Sequence, residues 1–511
     1  MRKTFVWLLV LIMIVCACSF APAEESAAES EPERRKCGDY EYILLEDGTA
    51  SITDYFGNAL DLSIPEELDG NTVTGIGFEA FMYNLTTARI HIPDCVTDIT
   101  GNPFISCMRL QEFVVSADHP YLKTVDGVLF SKPDEKLISY PCGRTDPTYT
   151  IPDGVKEIAE GAFALTFALT EITIPDSVES IGSNPFIGCK ALTEIRISPD
   201  HPLWEITDGV LFSKPDQRLI CYLFTNDKAG YTVPEGTRVI DSYAFYCCPV
   251  GSITLPEGLT TIGRYAFAGV PISNISIPDS VTSLGHGVFY ECGSLTRLTL
   301  SQNITSIGEF SFYDCKRLKE IVIPDKVESI GYKAFYCCES MGSVTFPAGL
   351  KSIGNNAFSH CKRLKAAYLP DGLTDVGKEV FNECVSLADC TLPKGMTTIP
   401  EHFFSYCYAL DHLVIPDTVT GIDNYAFSYC TALTDIMIPD SVTSIGSGAF
   451  HNCTALESLV VPSSVTEIGE KVFRNCSKLV VTVDRDSEAE AYCRVNRIRY
   501  VCAETDSGMN N

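Results

Sequence analysis

A repeat of 23 residues runs through the second half of the chain and restricts the folds open to it. Proline, phenylalanine and cysteine recur at this spacing, each in a constant phase over seven successive units. The repeated phenylalanines are Phe335, Phe358, Phe381, Phe404, Phe427, Phe450 and Phe473. A unit this short cannot bury an apolar face alone, so such repeats fold by stacking on their neighbours. The sequence therefore predicts a solenoid.

One unit, LTDIMIPDSVTSIGSGAFHNCTA at residues 433–455, shows how each coil is built. The alternation in T-D-I-M-I predicts a short half-buried strand, which proline ends because it cannot donate to a ladder. The S-V-T-S-I segment predicts a second extended stretch, and the following glycine allows a turn. The A-F-x-x-C-x-x spacing predicts a short turn of helix.

The phenylalanine register continues towards the N-terminus and sets the predicted number of coils. The further members are Phe81, Phe104, Phe163, Phe186, Phe245, Phe267, Phe289 and Phe312. With the seven later units this gives about 15 coils, a strand-rich α/β repeat solenoid over residues 65–476.

Residues 1–23 have the composition of a targeting segment rather than of the solenoid. Two basic residues precede an apolar run at residues 5–15, too short to span a bilayer and typical of a signal peptide. Two processing sites compete: a lipobox-like V-C-A-C, which makes Cys18 the candidate lipid attachment site, and A-P-A at 21–23. Residues 24–36 are charged and small, which predicts a flexible acidic tether.

Two insertions and two caps interrupt or end the predicted repeat. The related segments 116–150 and 198–232 share D-G-V-L-F-S-K-P and predict hairpins, either longer coils with a local core or a binding feature. Residues 37–64 predict an N-terminal cap of strands, and 477–502 a strand–helix–strand C-terminal cap. The polar tail at 503–511 is predicted to be disordered.

Twelve cysteines stand three residues after the register phenylalanines. Their positions are Cys107, Cys189, Cys248, Cys292, Cys315, Cys338, Cys361, Cys384, Cys407, Cys430, Cys453 and Cys476. Buried free thiols are the favoured interpretation, because Asn84 and Thr166 replace cysteine in two coils. Disulfides between adjacent coils are the alternative open to a secreted protein.

The bulk charge and the lack of catalytic motifs narrow the function classes. A net charge of -28 repels phosphate backbones, so nucleic acid is not expected as a partner. No nucleophile elbow, zinc motif or phosphate loop occurs in context, and the glycines keep the repeat phase. We therefore expect no enzyme activity, no cofactor and no metal.

The outward positions of the first strand suggest where a partner binds. The second of these positions is mostly polar in early coils and mostly large or apolar in later ones. The candidate partner-binding residues are Val322, Tyr368, Val414, Met437 and Val460. An exposed apolar stripe marks an interaction site; the alternative is that valine and tyrosine simply favour strands.

The pattern I-G-x-x-A-F-x-x-C-x-x-L-x-x-I-x-I-P resembles the BspA-type leucine-rich repeats of bacterial surface proteins. The D-G-V-L-F-S-K-P insertions resemble that family too, and the match extends over nearly all of residues 37–502. The resemblance implies a right-handed leucine-rich-repeat rod, display at the cell surface and a role in adhesion. It does not carry over a ligand.

The leading functional hypothesis is a secreted or surface-anchored module that binds a protein, either of the host extracellular matrix or of another bacterial surface. A structural spacer without a ligand, an enzyme site hidden on the solenoid and a glycosylated eukaryotic repeat protein are the alternatives. Contact with a membrane is expected only through the N-terminal lipid anchor, and the sequence leaves the oligomeric state open.

Overall fold

The computed structural model describes residues 32–226 and 229–503. These residues divide into two compact units, 32–226 with 239–249 (unit 1) and 229–238 with 250–503 (unit 2). The predicted signal peptide, the candidate lipid site at Cys18 and nearly all of the predicted tail lie outside the described residues. Within the described ranges, no helix is long and apolar enough to cross a membrane.

The strands are short, from two to six residues each. The first twenty are β1 Arg35–Cys37, β2 Tyr40–Leu44, β3 Ala50–Tyr55, β4 Asp61–Ser63, β5 Glu67–Leu68, β6 Asn71–Ile76, β7 Arg89–His91, β8 Asp98–Ile99, β9 Glu112–Val114, β10 Leu122–Val125, β11 Val128–Ser131, β12 Lys136–Ser139, β13 Thr148–Thr150, β14 Glu157–Ile158, β15 Glu171–Thr173, β16 Ser180–Ile181, β17 Glu194–Arg196, β18 Trp204–Thr207, β19 Val210–Ser213 and β20 Arg218–Tyr222. The others are β21 Tyr231–Thr232, β22 Val239–Ile240, β23 Ile253–Thr254, β24 Thr261–Ile262, β25 Asn274–Ser276, β26 Ser283–Leu284, β27 Arg297–Thr299, β28 Ser306–Ile307, β29 Glu320–Val322, β30 Ser329–Ile330, β31 Ser343–Thr345, β32 Ser352–Ile353, β33 Ala366–Tyr368, β34 Asp375–Val376, β35 Asp389–Thr391, β36 Thr398–Ile399, β37 Gly421–Ile422, β38 Asp435–Met437, β39 Ser444–Ile445, β40 Ser458–Val461, β41 Glu467–Ile468, β42 Val480–Val483 and β43 Tyr500–Cys502. The helix of the described chain is α1, Glu488–Asn496.

Most coils contribute one strand before a proline and one before a glycine, and each kind stacks in its own parallel ladder. In the first ladder β38 pairs with β40, so that Ile436 lies opposite Leu459. In the second ladder β39 pairs with β41, so that Ile445 lies opposite Ile468. Both registers advance by one coil, which places equivalent side chains on top of each other.

The segment between the second strand and the next coil is built of turns, and the predicted short helix is wrong. In the coil that holds Phe427, the amide N–H groups of Tyr425, Phe427 and Tyr429 donate to carbonyl oxygens of the next coil at 2.9, 2.8 and 2.7 Å. The two tyrosines have φ of 56° and 64°, which turns these N–H groups away from helical partners. This turn segment therefore forms a third column of hydrogen bonds between coils.

The glycine that follows the second strand is favoured by close approach rather than by a turn. A Cβ atom added to Gly446 would lie 2.5 Å from the backbone nitrogen of Asn424 in the preceding coil. At Gly446 a side chain would clash with that backbone. In other coils of the described chain Ala159, Asp241, Pro400 and Asp423 stand at this position, so glycine is favoured there but is not obligatory.

The core of unit 2 is a column of phenylalanine rings enclosed by the ladders. Neighbouring rings are stacked with centroids 5.0–6.0 Å apart from Phe312 to Phe473. These rings are almost completely buried. The column explains why phenylalanine recurs in each coil from Phe312 to Phe473, because a smaller side chain would leave a cavity among the stacked rings.

Tyrosine takes the place of phenylalanine in three coils of unit 1. Tyr55, Tyr140 and Tyr222 lie 5.4, 5.3 and 5.1 Å from the register phenylalanine of the next coil. A count based on phenylalanine misses these coils. The described residues form a repeat solenoid of about 20 turns with a period of ~23 residues, which confirms the predicted fold class and exceeds the predicted 15 coils.

Both inserted segments differ from simple hairpins. In the first, β10, β11 and β12 form an antiparallel meander, and β12 then pairs in parallel with β14 of the second ladder. In the second, β18, β19 and β20 repeat this arrangement, and β20 pairs with β22. Each insertion is thus a hairpin added to a coil whose stacked ring is a tyrosine.

The two ends of the described chain continue the ladders. At the N-terminal end β2 and β3 form an antiparallel pair, and β3 pairs in parallel with β6. The strand β1 begins inside the segment 24–36, which differs from the flexible tether predicted there. At the C-terminal end β42 pairs with β40 and with β43, and α1 lies between β42 and β43 in sequence. The hydroxyl of Ser487 caps α1 by accepting the N–H of Glu490.

Replacement of Gly448 by alanine tests the third column of hydrogen bonds. Gly448 occupies the turn position of Tyr425 in the next coil, with φ of 62°, and an added Cβ would lie 2.4 Å from the Tyr425 ring. We expect Gly448→Ala to cost about 1–2 kcal/mol of stability and to lower the melting temperature followed by circular dichroism. Gly395→Ala is the matched control, since nothing lies within 4 Å of its added Cβ. Equal melting of the two variants would contradict this explanation.

Candidate functional site

The five predicted partner-binding residues all occupy the exposed face of the first ladder in unit 2. Their relative exposures are Val322 68%, Tyr368 56%, Val414 80%, Met437 78% and Val460 55%. Exposed and buried residues alternate along these short strands, so each side chain points away from the core. Such apolar exposure is not needed for folding, because the opposite faces of the strands already supply the core.

The first ladder places these residues in one row, hereafter the apolar stripe, and is hydrogen-bonded over this range as three sheets: β29–β31, β33–β35 and the sheet of β38, β40, β42 and β43. Met437 lies opposite both Val414 and Val460, so three successive coils present apolar side chains. Threonine interrupts the row further towards the N-terminus, where Val322 lies opposite Thr345 and Tyr368 opposite Thr391. The stripe is therefore densest over residues 414–460.

The row continues into the C-terminal strands, which the sequence analysis did not include. Val460 lies opposite Thr482, and Thr482 lies opposite Val501, which is half exposed. The spacing of these positions departs from 23 residues because the last coil is shortened and interrupted by α1. Alternation within V-V-T-V and Y-V-C is the sequence signal that places them on the same face.

Carboxylates border the apolar stripe on both sides. On one side, near the first residue of each first-ladder strand, the exposed or half-exposed acidic residues are Glu320, Asp389, Asp411, Asp435 and Glu457. On the side of the proline they are Asp325, Asp371, Asp417 and Asp440. Lysine neutralises two of them, through Lys394–Asp371 at 2.8 Å and Lys478–Glu457 at 3.3 Å. The apolar stripe is thus bordered by negatively charged side chains.

Two of these carboxylates hold neighbouring polar side chains in place. The hydroxyl of Tyr368 donates to Asp389 at 2.6 Å, which fixes the ring on the face and raises the pKa of Tyr368. His412 and Asp411 are 2.5 Å apart, and this hydrogen bond raises the pKa of His412. The polar groups beside the stripe are therefore partly preorganised.

The shared residues of the two insertions are used for local structure. His119 is buried, and its Nδ1 accepts the N–H groups of Tyr121 and Leu122 at 3.2 and 3.0 Å. Lys132 donates to the His119 carbonyl at 2.5 Å, and Lys214 repeats this contact with His201 at 2.8 Å. The recurring D-H-P and F-S-K-P residues hold the loop against its own strands, which favours the longer-coil interpretation over a binding feature.

The register cysteines form a column of buried thiols that bond to backbone. In unit 2, Cys361 donates to the carbonyl of Phe335 at 3.3 Å, and Cys384 donates to that of Phe358 at 3.2 Å. The same contact recurs in the coils that follow, up to Cys476. All cysteines of the described ranges are free thiols. Burial raises the pKa of Cys384 to about 12, which keeps the donor proton on sulfur.

A concave surface lies beside α1. It encloses about 570 Å³, is open to solvent, and is lined by Asp423, Glu467 and Glu488 among serine, asparagine and glycine residues. In the part of the chain that the structure describes, no group of three histidine, cysteine or acidic side chains is arranged to hold a metal ion. The apolar stripe remains the better-defined surface.

The parallel ladders, stacked phenylalanines and exposed strand face define a leucine-rich-repeat protein. The chain belongs to the BspA-type leucine-rich-repeat family, since the model of the BspA type leucine rich repeat region matches residues 35–139, 144–213, 238–365 and 351–480. This confirms the family predicted from the sequence.

The chain is similar to solved structures of several bacterial leucine-rich-repeat proteins. A leucine-rich repeat protein from Bacteroides ovatus is 24% identical, with a TM-score of 0.48 over 75% of this chain and 98% of that chain. One from Eubacterium ventriosum is 20% identical, with a TM-score of 0.46 over 70% and 94%. A leucine rich cell surface protein from Faecalibacterium prausnitzii is 25% identical, with a TM-score of 0.33 over 94% and 100%. The curated proteins searched contain no match to the chain.

Alkylation distinguishes the buried thiol column from disulfides. A raised pKa lowers the thiolate fraction, so we expect iodoacetamide at pH 8 to label Cys361 and Cys384 about 100-fold more slowly than the partly exposed Cys502. After denaturation without reductant all of them should react. Mass spectrometry of the digested protein measures both states. Loss of two hydrogen atoms between neighbouring register cysteines would contradict the thiol assignment.

Proposed function

We propose that this protein is a surface-displayed binding module that holds a protein partner on the first-ladder face of unit 2. The observation that carries the proposal is the apolar stripe, whose central residues Val414 and Met437 are about four-fifths exposed. Contiguous exposed apolar side chains mark interaction sites because soluble proteins otherwise keep such rows small. Membership of a leucine-rich-repeat family, whose proteins generally bind proteins, supports the same conclusion.

The site we propose consists of Val322, Tyr368, Val414, Met437 and Val460, with Val501 as its continuation. The dense part over 414–460 would supply most of the binding energy, because central apolar side chains dominate protein interfaces. Tyr368 adds a ring that Asp389 already orders, so less side-chain entropy is lost on binding.

We further propose surface attachment through the N-terminus and a role as an adhesin, with a host extracellular-matrix protein or another bacterial surface protein as the partner. The lipobox-like V-C-A-C supports Cys18 as the lipid attachment site. The name of the Faecalibacterium prausnitzii protein, a leucine rich cell surface protein, agrees with display at the surface. No catalytic role is proposed.

Lipid attachment is tested by the substitution Cys18→Ala expressed in a bacterial host with a lipoprotein-processing system. We expect the native protein to enter the detergent phase in Triton X-114 partition and the variant to lose the lipid and leave that phase. The measurement is an immunoblot of both phases, supported by mass spectrometry of the N-terminal peptide. An unlipidated native protein that begins after Ala23 would contradict the anchor and favour full secretion.

The binding face is tested by a pull-down with residues 24–511 against host extracellular-matrix proteins and whole bacterial cells. We expect the triple variant Tyr368→Ser, Val414→Ser, Met437→Ser to lose about 3 kcal/mol of binding free energy, or roughly 100-fold in Kd. Circular dichroism should stay unchanged, because these side chains contribute little to the core.

The matched control is Tyr408→Ser, which removes an exposed aromatic side chain on a turn segment away from the stripe. We expect the control to bind as the native protein does. Equal loss in both variants would show that apolar exposure in general, not the stripe, holds the partner. Absence of any partner in both panels would favour the structural spacer.

A further inference from the structure

We propose that the partner presents an amphipathic α-helix whose apolar face lies along the stripe and whose lysine or arginine residues meet the bordering carboxylates. This inference rests on the proposed function and names the chemistry of the partner. It follows from two features of the first-ladder face: the distance between successive coils, whose outward side chains form the rungs of the stripe, and the negative charge on both sides of the stripe.

The rung spacing fits a helix better than an extended strand. Coils of a parallel ladder repeat about every 4.8 Å. One helical turn advances about 5.4 Å, whereas same-face side chains of a strand are about 6.7 Å apart. Over the four steps from Tyr368 to Val460, a helix lying along the stripe drifts by about 2.4 Å and a strand by nearly 8 Å. Only the helix keeps its side chains between the rungs over this length.

The charges beside the dense part of the stripe select a cationic partner. Asp411, Asp435 and Glu457 lie on one side of it, and Asp417 and Asp440 lie on the other. No lysine or arginine of the described ranges forms an ion pair with Asp417, Asp435 or Asp440. Because the two acidic rows enclose an apolar row, the complementary surface is an apolar stripe bordered by basic residues, as on a basic amphipathic helix.

Nearby positive groups offset only part of this negative charge. Lys478 pairs with Glu457 and His412 contacts Asp411, which leaves the carboxylates of Asp417, Asp435 and Asp440 for the partner. Lys365 lies further along the face, beside Tyr368. With an overall charge of -28, the protein also attracts basic segments at long range, which raises the rate of encounter at low salt.

Three 18-residue peptides of identical leucine and lysine content test the inference. In the first, leucines recur at helical spacing; in the second they alternate with lysine; in the third the order is scrambled. A fourth peptide keeps the helical leucine pattern and replaces lysine by glutamate. Fluorescence anisotropy measures the Kd of each labelled peptide for residues 24–511 at low and high salt.

We expect the helical leucine–lysine peptide to bind at least 10-fold more tightly than the other three. Its affinity should fall at least 10-fold in Val414→Ser, Met437→Ser, Val460→Ser and in Asp411→Asn, Asp435→Asn, Asp440→Asn. The matched control Asp375→Asn, Glu467→Gln, Glu470→Gln removes three charges from the second-ladder side and should change the Kd less than 2-fold. Equal binding of the helical and scrambled peptides would reduce the effect to charge attraction and overturn the inference.

Failure of this inference can be told apart from failure of the proposed function. If the pull-down retains a partner that depends on the stripe while the helical peptide does not bind, the binding face stands and the helix is wrong. If the glutamate peptide binds best, the sign of the charge is wrong. If no partner depends on the stripe, the proposed function itself fails.

Discussion

Hydrogen bonding between the backbones of successive coils is the constraint on which the rest of the structure depends. Neighbouring coils bond through first-ladder strands, second-ladder strands and turn segments, and the coils that hold Phe450 and Phe473 use all three. These three columns fix the coils close together, so the phenylalanine rings must stack and Gly446 must lack a side chain. Side chains that fit this spacing between coils, such as the stacked phenylalanines, recur from coil to coil. The 23-residue period of the sequence is the result.

The same constraint produces the proposed binding face. When coils are held in register, the outward residue of each first-ladder strand lies beside its equivalents, whatever its chemistry. Unit 2 places Val414, Met437 and Val460 at these positions, between rows of carboxylates. Both proposals follow from one property: an exposed apolar row that the fold does not need, bordered by carboxylates.

The buried thiols show how much of the chain serves the stack itself. Each register cysteine donates to a carbonyl of the preceding coil, as Cys361 does to Phe335. Thr166 stands at the same position in its coil, but its hydroxyl donates to Phe163 of that same coil, so the bond to the preceding coil is not obligatory at this position. The column therefore has a structural role, and the reactive chemistry of cysteine is suppressed by burial.

The 23-residue periodicity made most of the fold predictable from the sequence. The predictions that failed concern local backbone conformation, which the period does not determine. The stacked phenylalanines and the outward stripe follow from spacing alone. The turn segment was predicted as helix because A-F-x-x-C has helical spacing, whereas left-handed residues such as Tyr425 direct its N–H groups to the next coil. Tyr140 and Tyr222 were missed as stacked rings because the register was followed by residue type; a step of 23 residues back from Phe163 and Phe245 reaches both.

Hydroxyl-radical footprinting of residues 24–511, alone and mixed with host extracellular-matrix proteins, tests the central claim most directly. Met437 and Tyr368 are exposed on the first-ladder face, and Tyr408 is exposed on a turn segment. The account predicts that bound partner slows oxidation of Met437 and Tyr368 and leaves Tyr408 unchanged. Protection of Tyr408 with no change at Met437 would place the partner elsewhere and contradict the account.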